Sequence, residues 1–343
     1  MLPSRAAPTD TLTRQPMKLI IQIPCLNEEA TLPETIAALP RQIAGVDEVE
    51  LLVIDDGSTD RTVEVAREQG VEHVVRLAGN RGLAAAFQAG LDACLKLGAD
   101  VIVNTDADNQ YSGADVPKLV APILAGEADM VVGDRRVATI EHFSAGKKAL
   151  QRIGSWVVRR VSGTAIADAT SGFRAYNREA ALGLLVTDNF TYTLESLIQA
   201  GKMLVAVGQV GVATNPQTRE SRLFDSTGAY VRRNALSILR IYARYEPLRV
   251  FSVAGLAVGL LAFCAWLPFL LDWILNGDSS GHIQSLILGA VLFIAALQLF
   301  ALGVIGDLLA SQRVMTQRVF ERVRRVELSL GVEPSHYEPG SRD

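Results

Sequence analysis

The sequence predicts an α/β domain on a mainly parallel sheet, followed by interfacial helices and a two-helix transmembrane hairpin. Three observations carry this expectation. From Lys18 onward, short apolar runs alternate with polar turns and amphipathic stretches. Acidic and other polar residues gather directly after those runs. Two long uncharged segments then appear: Val250–Leu271, 22 residues between Arg249 and Asp272, and Ile283–Gly306, 24 residues between His282 and Asp307.

Residues 1–17 open with "MLPSRAAPTDTLTRQP". This stretch lacks the apolar core of about 7–15 residues that marks a secretory signal, so it reads as a disordered lead. Residues 18–223 form the α/β domain. Its strand candidates are "LIIQIP" (19–24), "ELLVIDD" (50–56), "HVVRL" (73–77), "VIVNTD" (101–106) and "MVVGD" (130–134), with helical patterns between them at about 29–43, 60–69, 81–97 and 114–125. Short apolar strands alternating with helices argue for βαβ units on a sheet covered on both faces. Such sheets bind ligands outside the carboxyl ends of their strands.

Past residue 223 the pattern changes. Over 224–248, Tyr230, Leu236, Ile238, Leu239 and Tyr242 fall largely on one side of a helix and arginines on the other, as in a helix lying in the membrane interface. The span 249–308 is expected to hold the two transmembrane helices, at about 250–271 and 283–306, and 309–343 a second amphipathic helix with a tail. Crossing a bilayer core takes about 20 apolar residues, which each uncharged segment supplies. Hydrophobic residues make up 49% of the chain and mean hydropathy is +0.23, yet 20% of residues are charged, so the apolar excess is concentrated there. Residues 219–249 hold seven Arg against three acids and 307–325 five against two, whereas 272–283 has Asp272 and Asp278 and no Lys or Arg. Both flanks, and with them the α/β domain and both termini, are expected on the cytoplasmic side of the cell inner membrane. A net charge of −4 gives no reason to expect nucleic acid as a partner. Cys25, Cys94 and Cys264 lack metal-ligand spacing and fit a reduced compartment; His73, His142, His282 and His336 read as structural or exposed.

The strand ends carry the chemistry. The first delivers Pro24, Asn27 and Glu28, the second Asp55, Asp56, Gly57 and Ser58, the fourth Asp106 and Asp108, and the fifth Asp134, Arg135 and Arg136. A lone aspartate at such a place is often a turn former or helix cap, and "DDGSTD" keeps that option open. In "VIVNTDADNQY" (101–111), Asp106 and Asp108 stand one residue apart where a buried strand ends, so both carboxylates can address one point. Hard cations such as Mg²⁺ or Mn²⁺ take one or two carboxylates plus substrate phosphates and water. A calcium loop would need Gly where Tyr111 stands. Neither GxxxxGK[ST] nor a strand-linked GxGxxG occurs, so a cation must carry the phosphate contact, which points to a diphosphate leaving group.

Eight stretches, in order, resemble the family 2 glycosyltransferases of the GT-A fold, in the branch of dolichyl-phosphate mannose synthases and polyprenyl-phosphate glucosyltransferases. They are "IPCLNEEATL" (23–32), "VIDDGSTDRT" (53–62), "GNRGLAAAFQAGL" (79–91), "DADNQY" (106–111), "GDRR" (133–136), "DATSGFRAYNREA" (168–180), "YTLESLIQAGK" (192–202) and "RESRL" (219–223). The resemblance implies that Pro24, Leu26, Asn27, Glu28, Asp55, Asp56 and Arg81 bind the nucleotide-sugar, and that Asp106, Asp108 and Gln110 hold Mg²⁺ or Mn²⁺ on its diphosphate. It implies that Arg135 stands near the phosphates or sugar, that "DATSGFR" with Asp168 shapes the sugar and acceptor side, that Glu195 lies near acceptor or sugar, and that Arg222 binds phosphate. Leu26 stands where many relatives carry Tyr, and "NQY" replaces the commoner "LQH". The QxxRW of processive synthases has no counterpart in "QRIGSW" (151–156), which argues against repeated polymer extension.

The implied reaction is inverting transfer of one hexose from a UDP- or GDP-hexose to a polyprenyl phosphate of the undecaprenyl or dolichyl type, in a chain whose relatives with two such helices often form homotetramers. A lipid phosphate oxygen is already anionic near neutral pH and needs no general base. Transfer to a hydroxyl lipid such as diacylglycerol would need one, with Asp168 or Glu195 as candidates. A catalytically silent membrane scaffold is the remaining alternative.

Overall fold

The computed structural model describes residues 16–135, 156, 159–186, 192–215, 240, 242–277 and 282–340. Its centre is β1 (Lys18–Cys25), whose sequence KLIIQIPC is buried along nearly its whole length. Parallel to it run β2 (Glu48–Asp55) and β4 (Val101–Asn104), and β3 (His73–Arg76) runs parallel to β2. Alternate side chains of β1 and β2 enter opposite cores. Ile20, Leu52 and Ile54 pack with Phe87 and Ile102 on one face, and Leu19, Ile21, Ile23, Leu51 and Val53 pack with Leu119 on the other. Each such side chain contributes about 1.5–3 kcal/mol by leaving water, and cutting Ile54 to Ala would cost roughly 2–5 kcal/mol.

The covering helices are α1 (Leu32–Ala38), α2 (Thr62–Glu68), α3 (Leu83–Lys96) and α4 (Val116–Leu124), close to the four expected stretches but shorter at both ends. β5 (Met130–Asp134) completes the strands expected from the sequence. Three more join them among the described residues. β6 (Arg174–Asn177) runs antiparallel between β4 and β5, β7 (Val207–Gly211) pairs in parallel with β5, and β8 (Tyr337–Pro339) pairs antiparallel with β3. The order is β7-β5-β6-β4-β1-β2-β3-β8. Between β6 and β7 stand α5 (Arg178–Gly183) and α6 (Tyr192–Lys202).

Two long helices follow, α7 (Pro247–Asn276, 30 residues) and α8 (Ile283–Ser329, 47 residues). They pack as an antiparallel pair in which glycines admit close neighbours: Gly289 lies against Trp266, Gly303 against Phe251 and Gly306 against Pro247. Their outer faces expose large apolar side chains, with Leu256 and Leu275 each 74% accessible, unlike the helices of a soluble core. Both are long and apolar enough to cross a membrane.

Two boundaries differ from expectation. The helix that begins at Ile283 does not end with the uncharged segment at 306, and the amphipathic stretch after it is not a separate helix; α8 runs unbroken through both. Charged residues alone do not stop a helix, and from Asp307 to Ser329 neither Gly nor Pro occurs. The final residues are also more than a tail, because β8 returns to the edge of the sheet. Of 224–248 only Arg240 and 242–248 are described, so the interfacial helix and the domain limit at 223 lie outside the described residues.

Beyond the apolar segment, α8 docks on the α/β domain. Arg324 Nη1 donates to the carbonyls of Ala181 and Leu184, each at 3.1 Å, satisfying acceptors at the end of α5. Lys96 of α3 pairs with Glu327 at 3.3 Å, and Arg325 pairs with Glu179.

Candidate active site

Three loops meet at the carboxyl ends of β1, β2 and β3. Asn27 takes a left-handed backbone, φ 54°, which Asn tolerates better than most residues. Its Oδ1 accepts from Thr59 N at 2.8 Å, while its own N–H donates to Ser58 Oγ at 2.9 Å. Glu28, nearly buried, donates its N–H to Thr62 Oγ1 at 2.9 Å. The turn role open to "DDGSTD" is realised and the cap role is not, since the N-cap of α2 is Arg61 with no side-chain cap hydrogen bond. Asp55 Oδ1 accepts from Ser58 N at 2.9 Å, and Asp56 accepts from Arg81 N (2.7 Å) and Gly82 N (2.9 Å) at the entry to α3. Asp55 keeps one buried oxygen, Oδ2, without a hydrogen bond, with Arg76 Nε at 3.5 Å. Gly57 (φ 80°) must be glycine here, since a Cβ would sit 2.6 Å from the Gly79 carbonyl carbon. Pro24 is buried, Leu26 is half-buried beside this junction and the Arg81 side chain is exposed. The predicted donor-binding residues thus share one rim.

Across the crevice, the turn after β4 holds Asp106 and Asp108. Asn109 (φ 52°) bends the chain, and Gln110 N donates to Asp108 Oδ1 at 3.1 Å. The segment before residue 216 pins this turn from outside: Asn215 N donates to Gln110 O at 2.9 Å and Asn215 Nδ2 to Asn109 O at 2.8 Å. From beneath, Gly172 closes on it. A Cβ there would lie 3.0 Å from Asp106 Oδ1 and 2.7 Å from Tyr192 Oη. Gly172 N donates to Tyr111 Oη at 3.0 Å, and Asn104 Nδ2 donates to Gly172 O at 2.8 Å.

Burial, then the neighbouring Asp108, pushes the Asp106 carboxyl up to about 7, against the opposing pull of Arg135 and Arg174. Two crowded carboxylates at the mouth of a crevice are the donor set that a hard divalent cation takes together with phosphate oxygens, so Asp106 and Asp108 fit Mg²⁺ or Mn²⁺. Among the described residues no group of three or more His, Cys, Asp or Glu offers an all-protein metal cage.

Arg135, at the end of β5, grips Asp168 through Nε to Oδ2 (2.8 Å) and Nη2 to Oδ1 (3.0 Å), and Nη2 also donates to Thr170 Oγ1 at 2.9 Å. Its guanidinium lies 5.9 Å from the centre of the Tyr111 ring, which stacks on Phe173 at 5.0 Å. Burial pushes the Asp168 carboxyl up, but Arg135 and the Thr170 hydroxyl outweigh it and hold it below the usual range.

Sequence reasoning missed Arg174 as an individual residue. It is fully buried and spends its donors on Ser171 O (2.7 Å), Ala169 O (2.8 Å), Thr193 O (2.7 Å) and Ser196 Oγ (2.8 Å), tying the "TSGF" segment to α6. An arginine between apolar neighbours in "GFRAY" was the available signal. Tyr192, also unremarked, sets its hydroxyl beside the metal-side turn. Glu195 is buried, but it lines a different cavity, against α8. Arg136 and Arg222 lie outside the described residues.

A mainly parallel sheet, paired carboxylates beyond a central strand and interlocked loops opposite them define a glycosyltransferase of the GT-A class. The solved structure of glucosyl-3-phosphoglycerate synthase from Mycobacterium tuberculosis, in complex with Mn²⁺, UDP-glucose and phosphoglyceric acid, superposes with a TM-score of 0.54 at 25% identity, over 66% of this chain and 80% of that one. The family described as Glycosyl transferase family 2 matches residues 20–184, and the chain belongs to it. The polyprenol monophosphomannose synthase of Mycolicibacterium smegmatis is 32% identical over 51% of this chain and 68% of its own. The undecaprenyl-phosphate mannosyltransferase of Micrococcus luteus is 28% identical over 68% of this chain and 98% of its own.

Proposed function

We propose that this chain transfers one hexose, with inversion, from a UDP- or GDP-hexose to a polyprenyl phosphate at the cytoplasmic face of the cell membrane. The observation that carries the reading is the rigid join between a metal-ready carboxylate pair and a membrane-length helix pair, through α8 docked on α3 and α5. The names of the relatives, which act on polyprenol and undecaprenyl phosphates, support the same acceptor class.

Bound at Asp106 and Asp108, Mg²⁺ or Mn²⁺ would supply Lewis-acid neutralisation of the departing diphosphate. The chain's own residues do the rest. Asn27, Asp55 and Asp56 stiffen the loops that receive the nucleoside, and Arg135 presents a fixed positive charge on the side where negative charge develops. The lipid phosphate attacks as an anion, so no side chain has to accept a proton. The hydroxyl-lipid alternative is weaker on this site: Asp168, one of its two candidate bases, has both oxygens engaged by Arg135, which holds its carboxyl below the usual range and makes it a weaker proton acceptor.

Incubating the purified chain with Mn²⁺, a panel of UDP- and GDP-sugars, and either polyprenyl phosphate or diacylglycerol tests the reading. A glycosylated polyprenyl phosphate, identified by mass, is expected. Product formed on diacylglycerol alone, or sugar release without any lipid product, would overturn it.

A further inference from the structure

A cavity of about 440 Å³ adjoins the predicted donor rim on the side toward β8, away from the carboxylate pair after β4. One side of it is the loop after β2, with Gly57 and Ser58, and another is the chain from Arg76 to Gly79 after β3. The remaining side comes from far along the sequence. His336, Tyr337 and Glu338, which follow both long helices, close it there. The family match ends at residue 184, so this last side lies outside it.

Two contacts join the cavity to the donor loops. Ser58 Oγ accepts from Asn27 N at 2.9 Å, and Arg76 Nε lies 3.5 Å from Asp55 Oδ2, the buried oxygen without a hydrogen bond. The C-terminal side is held firmly. Arg76 N donates to His336 O at 2.9 Å, Tyr337 pairs with Val75 in the antiparallel ladder, and Tyr337 Oη meets His73 Nδ1 at 2.8 Å. The His336 side chain is exposed and makes no hydrogen bond or ion pair with any described residue. Its backbone is left-handed, φ 58°. Histidine tolerates that conformation better than most side chains, yet it costs free energy, and such residues gather at working sites. Three of the four left-handed non-glycine residues described, Asn27, Asn109 and His336, stand around the crevice and its rim; Leu204 is the fourth.

We propose that His336 stacks on the base of the donor nucleotide, so that a segment arriving from beyond the two long helices completes the nucleoside site. A nucleobase is a flat π-surface, and an imidazole held at the edge of a cavity beside the donor loops offers it a matching face. Leu26, at the β1 end of the rim, has no ring to compete for that face. Stacking tolerates any base, so the contact suits uracil and guanine alike. Linkage makes it reciprocal: a nucleotide that binds against His336 must also strengthen the hold of β8 on β3. The proposal rests on the nucleotide-sugar reading and deepens it by assigning the residue that meets the base.

The test uses the full-length protein in nanodiscs with Mg²⁺. Calorimetry compares UDP, GDP and inorganic pyrophosphate, which carries the phosphates without a base, on the wild type, His336→Asn and His336→Tyr. Asn accepts the left-handed backbone but has no ring, whereas Tyr restores one. His336→Asn is expected to bind the preferred nucleotide roughly tenfold more weakly and pyrophosphate within about twofold of wild type, and His336→Tyr to recover part of the nucleotide affinity. In the wild type, amide exchange across β8 and Gly340 should slow on adding nucleotide and stay unchanged on adding pyrophosphate. Equal nucleotide affinity in wild type and His336→Asn overturns the proposal. An equal loss for pyrophosphate does so too, because it would make His336 a support of the fold and not a contact to the base. A wild type that binds neither nucleotide would sink the nucleotide-sugar reading and this proposal with it. Nucleotide binding that depends on His336, without sugar transfer to any lipid, would sink the transferase reading and leave the base contact standing.

Discussion

Arg135 and Asp168 face each other across 33 residues of sequence and meet in two parallel hydrogen bonds of 2.8 and 3.0 Å. That fork fixes the guanidinium above Tyr111, beside the carboxylate pair. Asp168→Asn should leave the fold intact and lower kcat by on the order of 10–100-fold, as loss of an orienting partner does. On the proposed reading Asp168 orients Arg135 and takes up no proton, so the shape of the pH–rate profile should not change. A variant that lost one limb of that profile would make Asp168 a base instead.

Asp106→Asn and Asp108→Asn should each reduce turnover by at least about 10³-fold. Manganese titration followed by calorimetry, with circular dichroism as a control for folding, checks this. Retention of near-normal Mn²⁺ affinity by both variants would place the cation elsewhere.

The raised Asp106 carboxyl has a consequence for pH. Its folded value of about 7 lies above the unfolded value of 3.8, so the protonated form is favoured in the fold. The stabilisation this brings is complete below the unfolded value and is lost as pH rises through about 7. A bound cation needs the ionised form. The rise in Tm on adding Mn²⁺ should therefore be larger at pH 8 than at pH 6, and the difference should vanish in Asp106→Asn.

Gly172→Ala would push a methyl group onto Tyr192 Oη and Asp106 Oδ1. Such overpacking costs about 1–3 kcal/mol. Apparent Mn²⁺ affinity should fall by roughly tenfold, as for a disturbed supporting contact. Adding Tyr192→Phe removes the nearer obstacle and should restore part of it; a double variant no better than the single one would argue that the hydroxyl does not set the position of Asp106.

Deleting the residues after Gly331 removes β8 from the edge of β3. The strand is held by Arg76 N to His336 O at 2.9 Å, by Gly340 N to Glu72 O at 2.9 Å, and by the Tyr337 hydroxyl at 2.8 Å from His73 Nδ1, whose Nε2 meets Glu50 at 2.7 Å. A loss of about 1–3 kcal/mol is expected, read as a lower Tm. The KM for donor should rise more than that for lipid, because β3 leads directly into the Gly79–Arg81 loop on the donor rim. Equal changes in both would mean that the strand supports stability alone.

The carboxylate pair was legible because it depends on local facts: "VIVN" buries on both faces, and the first polar residues after it must emerge at the sheet's end. The same holds for the loops at Asn27 and Asp55. What supports them was not legible. Asn104 reaches Gly172 across 68 residues and Tyr192 across 88, and no periodicity encodes such meetings. β6 reads RAYN, bounded by polar residues, and β8 has only three residues, while β7 carries two glycines and is mostly half-exposed, so none shows the apolar run that identified β1 or β4. The unbroken length of α8 was hidden by its change of composition at Asp307, which marks a change of solvent and not of backbone conformation.

Under the proposed function, that unbroken length would determine how the enzyme meets a lipid acceptor. At 1.5 Å per residue, the 47 residues of α8 form a rod of about 70 Å, of which roughly a third to a half stands in water, bolted to the catalytic domain. With both helices in a bilayer and the proposed lipid acceptor, the crevice would be kept at a constant height above the membrane, and every encounter with that acceptor would become a search in two dimensions. Turnover should follow the mole fraction of acceptor in the membrane and be indifferent to its concentration per volume of solution.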